Sequence, residues 1–220
     1  MGLVVDALVQ HAILQNPEIG IQTSSVNVIV GETNDGFLND LQGRHVRAAH
    51  VRAAIETASQ GPVSEGAVGA GTGTRCLGWK GGIGTASRIL PDQLGGFCLG
   101  ALIQSNFGRA QDLIILGVPV GRFLLPPVPT DYDQGSAMVV LATDAPLNSH
   151  QLQRLCLRVT SGMARTGSFF GNGSGDFVIS FSTAWRIDHV PASPTRLQTI
   201  LADEAIVMEG LFRAVVESVE

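Results

Sequence analysis

Ser136 follows Gly135 where a proline-bearing stretch, GRFLLPPVPTDYDQG at 121–135, meets the apolar run SAMVVLATDAPL at 136–147. A serine in that place has the chemistry of an N-terminal nucleophile precursor. Glycine keeps the carbonyl to be attacked sterically open, and a loop before it lets the peptide bond be strained or reoriented. The Ser136 hydroxyl attacks the Gly135 carbonyl, an N-to-O shift gives an ester, and water hydrolyses that ester, leaving Ser136 with a free α-amine. Such an amine titrates at about 7.7–8.0, so it can act as general base beside its own hydroxyl. On spacing alone a Gly-Ser pair is more often an ordinary loop feature, and both readings stand at this point.

Other chemistry has weaker support. The five histidines, at 11, 45, 50, 150 and 189, show no H-x-x-x-H or H-E-x-x-H spacing, and no metal site is expected. GAGTGT at 69–74 lacks the third glycine of G-x-G-x-x-G, and WKGGIGT lacks the Gly-Lys-Ser/Thr order of a phosphate loop. No G-x-S-x-G elbow is present. Cys76, Cys98 and Cys156 are an odd set, widely spaced among apolar or glycine neighbours, and read as packed, reduced thiols.

The elements that must position Ser136 come from a chain of 220 residues, 45% hydrophobic and 15% charged, enough for a buried core. The net charge of -5, with no block of like charges, excludes a nucleic-acid footprint. No apolar run is long enough to span a membrane. The start, MGLVVDALVQ, lacks the basic opening of a signal peptide, and a cytoplasmic protein is expected.

Helical spacing over 3–15 ends at Asn16-Pro17, and the alanine-rich stretch 46–58 predicts a second helix. Val26–Val30 predicts a strand, followed by a tight turn with positive-φ positions at Asn34-Asp35-Gly36. The glycine-rich 66–88 suits close-packed strands or a loop, and 96–104 and 112–120 predict two buried strands. Residues 121–135 predict an exposed connection, with a strand opening at Ser136. Asn148 or Ser149 caps a helix with the stripe Leu152, Leu155, Cys156, Val159 and Met163, closed by Gly167. A turn at 171 feeds an alternating strand with Phe177, Ile179 and Phe181 on one face. A last helix from Pro194 or Thr195 carries Leu197, Leu201, Met208, Leu211, Phe212 and Val215.

Five blocks in one order, GETNDGFLNDLQGRHV (31–46), VGAGTGTRCLGWKGGIGTASR (68–88), LIQSNFGR (102–109), GSAMVVLATDAPL (135–147) and ARTGSFFGNGSGDFVISFSTA (164–184), together resemble the P1 peptidase family. That family comprises L-aminopeptidase/D-esterase and β-peptidyl aminopeptidase enzymes. The resemblance implies an α/β fold, an αββα sandwich related to that of ornithine acetyltransferase, and self-cleavage between Gly135 and Ser136. The single domain 1–220 would then part into an α-chain portion, 1–135, and a β-chain portion, 136–220. It implies Ser136 as nucleophile, Ser174 as a hydroxyl bridge from Asp176 to Ser136, and Asn106 as an amide donor to the oxyanion. Where relatives often place an aromatic residue in the ET-x-DG block this chain has Asn34, which falls in the substrate pocket. No cofactor is implied. The implied partners are small peptide, amide or ester substrates and further copies of the two-chain unit in a homo-oligomer. Relatives extend upstream, and the last helix reaches Glu220 without a stop signal, so the sandwich is expected to be incomplete at both ends. Two rivals follow from the same blocks: an acyltransferase of the related fold, and a truncated subunit without catalysis that only associates.

Overall fold

The computed structural model describes residues 1–128, 134–188 and 192–220, with the Gln134 side chain not described. Part of the 121–135 connection and His189 therefore lie outside the described residues. The elements in order are α1 (Gly2–Gln15), α2 (Ala48–Glu56), β1 (Arg75–Cys76), β2 (Trp79–Lys80), β3 (Gly82–Ile89), β4 (Cys98–Asn106), β5 (Gln134–Thr143), α3 (Ser149–Arg165), β6 (Gly173–Ser182) and α4 (Ile206–Val219). Four strands form one sheet in the order β3-β4-β5-β6, and β1 and β2 form a separate hairpin. β3, β4 and β5 pair antiparallel, whereas β5 and β6 pair parallel, the connection between them being α3.

α3 forms because its start is doubly satisfied. The Asn148 side chain accepts from Gln151 N at 2.9 Å, and Gln151 Oε1 accepts from Asn148 N at 3.0 Å. A cap of this kind contributes about 0.5–2 kcal/mol. The far end stops at Gly167, whose φ of +105° is open to glycine and strained for other residues. Between these ends Leu155, Val159 and Met163 are buried with Leu211 and Val215 of α4 and with Leu99, Val139 and Leu141 of the sheet. Each such side chain contributes about 1.5–3 kcal/mol by leaving water. One helix layer on one sheet gives the expected mixed α/β class and supplies half of an αββα sandwich. The opposite sheet face carries no second sheet among the described residues. Residues 31–34 cross it near Ser136, while Phe177, Ile179 and Phe181 of β6 stand 65%, 44% and 46% exposed there.

Several expectations are corrected. Residues 26–30 form no strand and Ile29 is 79% exposed; the β-branched run has no neighbouring edge to pair with. None of Asn34, Asp35 and Gly36 adopts positive φ; the Asn34 side chain makes the turn by accepting from Gly36 N at 3.0 Å. Residues 113–119 form a chain reversal around an isolated bridge between Ile115 and Val118, flanked by 3-10 turns at Ala110–Asp112 and Val120–Arg122, because Leu116 and Gly117 take φ of 49° and 80°. β5 begins at Gln134, so Ser136 lies within a paired strand; its neighbours β4 and β6 both extend far enough to hold it. The last helix starts at Ile206, not Thr195. Upstream of it, Leu201 N donates to Pro146 O at 2.9 Å, Gln151 Nε2 donates to Leu201 O at 2.7 Å and to Asp203 Oδ1 at 2.9 Å, and Arg154 pairs with Asp203 at 2.9 Å. Those bonds to α3 and to the loop before it hold the segment out of helix geometry, and Leu197 is left fully exposed.

Candidate active site

Ser136 is the third residue of β5, 9% exposed, and is paired with Asn106 on β4 and Gly175 on β6. Directly paired residues share a sheet face, and neighbours along a strand alternate. Ala137 belongs to the core under α3 and α4, so Ser136 and Asn106 lie on the other face, the one crossed by residues 31–34. Gly135 is paired with Ser174, one step before Ser136 with Gly175. The Gly135–Ser136 peptide bond thus lies between β4 with Asn106 and β6 with Ser174, but Ser174 and Asp176, paired with Gly135 and Ala137, are on the α3 face of the sheet, opposite the side chains of Ser136 and Asn106.

Gly135 is sterically required. A Cβ there would run into Asn106 O and stand 2.8 Å from Phe107 Cα, both backbone atoms at the end of the neighbouring strand β4 that cannot rotate away. Ser174 Oγ donates to Asp176 Oδ1 at 3.0 Å, the hydroxyl–carboxylate link expected from residues two apart on a strand. In the uncleaved chain no side-chain hydrogen bond joins Ser136 to Ser174, Asp176 or Asn106 among the described residues. The register instead sets Ser174 beside the bond that cleavage would open, where the new α-amine would emerge.

The Asn106 amide is 6% exposed and held from two directions. Arg75 N donates to its Oδ1 at 3.0 Å, and its Nδ2 donates to Asn34 O at 2.9 Å. A backbone N–H only donates and a backbone carbonyl only accepts, so the amide has one possible orientation. One Nδ2 hydrogen is used by Asn34 and the second is available to an oxyanion. Gln104 Nε2 donates to Thr33 Oγ1 at 2.7 Å and tethers the same crossing segment one step along β4.

A cavity of about 620 Å³ opens here, lined among others by Asn34, Phe37, Arg75, Asn106, Gly135 and Gly173. Asn34, expected in the substrate pocket, thus lines it and also fixes Asn106 through its carbonyl. Sequence reasoning missed Arg75 and Phe37, whose guanidinium and ring stack at 3.7 Å. Their partners are far apart in sequence and carry no local motif. A larger cavity of about 710 Å³ is lined by Cys76, Met163 and Val219 on the α4 side of the sheet. Its one thiol is disarmed: burial pushes the Cys76 thiol up to about 11, outweighing hydrogen bonds from Ser105 and Phe107. Such a thiol is protonated at neutral pH.

The profile of peptidase family S58 matches residues 1–220. The β-peptidyl aminopeptidase BapA of Sphingosinicella microcystinivorans is 40% identical over 211 residues, 87% of this chain and 52% of that protein. BapA of Sphingosinicella xenopeptidilytica is 37% identical over 234 residues, all of this chain and 58% of that protein. Among solved structures, a protein of Pyrococcus horikoshii superposes with a TM-score of 0.91 at 45% identity, over 100% of this chain and 60% of that one. The L-aminopeptidase D-Ala-esterase/amidase of Ochrobactrum anthropi, described as a serine aminopeptidase and a variant of the Ntn hydrolase fold, gives 0.87 at 40% identity, again over 100% and 60%. The chain thus spans a little over half the length of these relatives.

Proposed function

The chain belongs to peptidase family S58, and from that premise we propose that it is a self-processing serine aminopeptidase that removes N-terminal residues from small peptides, amides or esters. The observation that carries this reading is the strand register that sets Ser136 beside Asn106, and Gly135 beside the Ser174–Asp176 pair. Ser136 Oγ attacks the Gly135 carbonyl, with Asn106 Nδ2 donating to the oxygen that gains charge. The C–N bond breaks as the ester forms, and water then releases a chain ending at Gly135 and a chain beginning at Ser136. In the mature enzyme the Ser136 α-amine takes the proton from its own hydroxyl as that hydroxyl attacks the substrate carbonyl. The leaving amine receives that proton, and water hydrolyses the acyl group from Ser136. In this reading the Ser174 hydroxyl, bonded to Asp176, orients the α-amine once cleavage frees it, and the Asp176 carboxylate balances its charge while it is protonated. The working form is a two-chain unit, 1–135 with 136–220, assembled in several copies.

Two variants test the reading. Ser136→Ala is expected to stay intact and to hydrolyse no amide, ester or p-nitroanilide substrate. Ser136→Cys keeps a nucleophile in place and is expected to cleave itself slowly. Full turnover by the Ser136→Ala protein overturns the assignment.

A further inference from the structure

Of the described residues that line the cavity beside Ser136, only Arg75 is charged. Its backbone is fixed by the β1–β2 hairpin and by its N–H bond to Asn106 Oδ1, so the residue is one hydrogen bond removed from the oxyanion donor. Its guanidinium carbon lies over the Phe37 ring, 3.7 Å from the centroid, a cation–π contact that holds the side chain at the cavity wall. The six ion pairs formed among the described residues do not include it. A half-buried guanidinium held against an aromatic ring, without a carboxylate partner among the described residues, on the wall of a substrate cavity, is a receptor for an anion of fork geometry. The rest of the named wall is neutral: the amides of Asn34 and Asn106, the ring of Phe37 and the glycines 135 and 173.

We propose that Arg75 binds a carboxylate carried by the substrate and so gives the enzyme a preference for short acidic substrates, an inference that rests on the aminopeptidase reading. The carboxylate is supplied either by the free C-terminus of a dipeptide, on the leaving group, or by an acidic side chain on the N-terminal residue. A substrate carbonyl seated between Ser136 and Asn106 puts its flanking atoms against the hairpin that carries Arg75.

Two substrate pairs separate the sources: a dipeptide against its C-terminal amide, and glutamyl against glutaminyl p-nitroanilide. In one of the two pairs the acid is expected to have the higher kcat/KM by about tenfold or more, the range of a charge-assisted bond. Arg75→Met is expected to bring that ratio close to one, and Arg75→Lys to keep part of it. Phe37→Leu, which removes the stacking surface but not the charge, is expected to lower the ratio partway. No acid preference in either pair, or a preference that survives Arg75→Met, overturns the inference. Calorimetric titration of Ser136→Ala protein with succinate and with succinamide reads the same site without turnover. Succinate is expected to bind at least about tenfold more tightly, and to lose that advantage when Arg75→Met is added. Equal binding of the two ligands refutes the carboxylate site even in a protein that hydrolyses peptides. An inactive wild type that still discriminates them refutes the aminopeptidase reading and leaves the site intact.

Discussion

Replacing Asn106 by alanine removes one amide that holds two backbone groups and supplies one donor. The Oδ1 bond from Arg75 N, 3.0 Å, and the Nδ2 bond to Asn34 O, 2.9 Å, each contribute about 0.5–1.5 kcal/mol, so the fold should lose about 1–3 kcal/mol. For a chain of this size each kcal/mol lowers the melting temperature by about 2–4 °C. Loss of an oxyanion donor is far larger in rate, about 10²–10³ in kcat. The assay is steady-state hydrolysis of a p-nitroanilide by matured protein, with the time course of chain splitting beside it, since the proposed mechanism uses the same donor in self-cleavage. Thr33→Val is the control. It breaks the 2.7 Å bond from Gln104 Nε2 and loosens the same crossing segment without touching the donor. Its expected cost is about 1 kcal/mol of stability, with kcat within about threefold of wild type. The donor assignment is refuted if Asn106→Ala melts lower yet retains kcat within that margin, or if Thr33→Val loses as much rate as Asn106→Ala.

Gly135→Ala places a methyl against Asn106 O and Phe107 Cα, which forces β5 away from β4 at the scissile bond. Overpacking of this kind costs about 1–3 kcal/mol, and self-cleavage followed on denaturing gels should slow by tenfold or more while Ser136 is still present; cleavage at the wild-type rate would show that the close approach has no part in it. The thiol of the partly buried Cys76, raised to about 11 from an ordinary 9.0 by desolvation, adds a pH dependence whose sign is fixed. Below pH 9 the thiol is protonated in both folded and unfolded chains. Above it the unfolded chain releases the proton first, so stability falls by about 1.4 kcal/mol per pH unit until the folded thiol also ionises. Native protein should therefore resist iodoacetamide at Cys76 at pH 8.5 and react on unfolding, with the adduct located by peptide mapping; rapid native labelling there would contradict the burial.

How much was legible in the sequence depends on the range of the forces concerned. α3 was readable because its cap, stripe and stop lie within 20 residues of one another: Asn148 with Gln151, Leu155 with Val159 and Met163, and Gly167 at the end. The alternation of β6 was readable too, yet nothing local tells that Phe177, Ile179 and Phe181 face away from α3 and α4, because the layer a strand face meets is set elsewhere in the chain. The periodic Leu197 and Leu201 misled for the same reason: bonds from Gln151 and Arg154, about 50 residues away, hold that segment out of a helix. Ser136 stands out by its Gly-Ser junction, where spacing leaves nucleophile and loop readings both open; Ser174, Asp176 and Asn106 follow only from resemblance to a family, and spacing alone leaves them as turn formers and a surface cap. Arg75 had no signal at all, since its role depends on bonds and stacking that span 31 residues to Asn106 and a similar distance to Phe37.

The intact mass of the purified protein, taken before and during exposure to a slowly hydrolysed ester, tests the central claim most directly. Two masses are predicted, one chain ending at Gly135 and one beginning at Ser136, with the acyl group appearing transiently on the second alone. A single unsplit mass in a preparation that turns over substrate, or an acyl group carried on any other part of the chain, would contradict it.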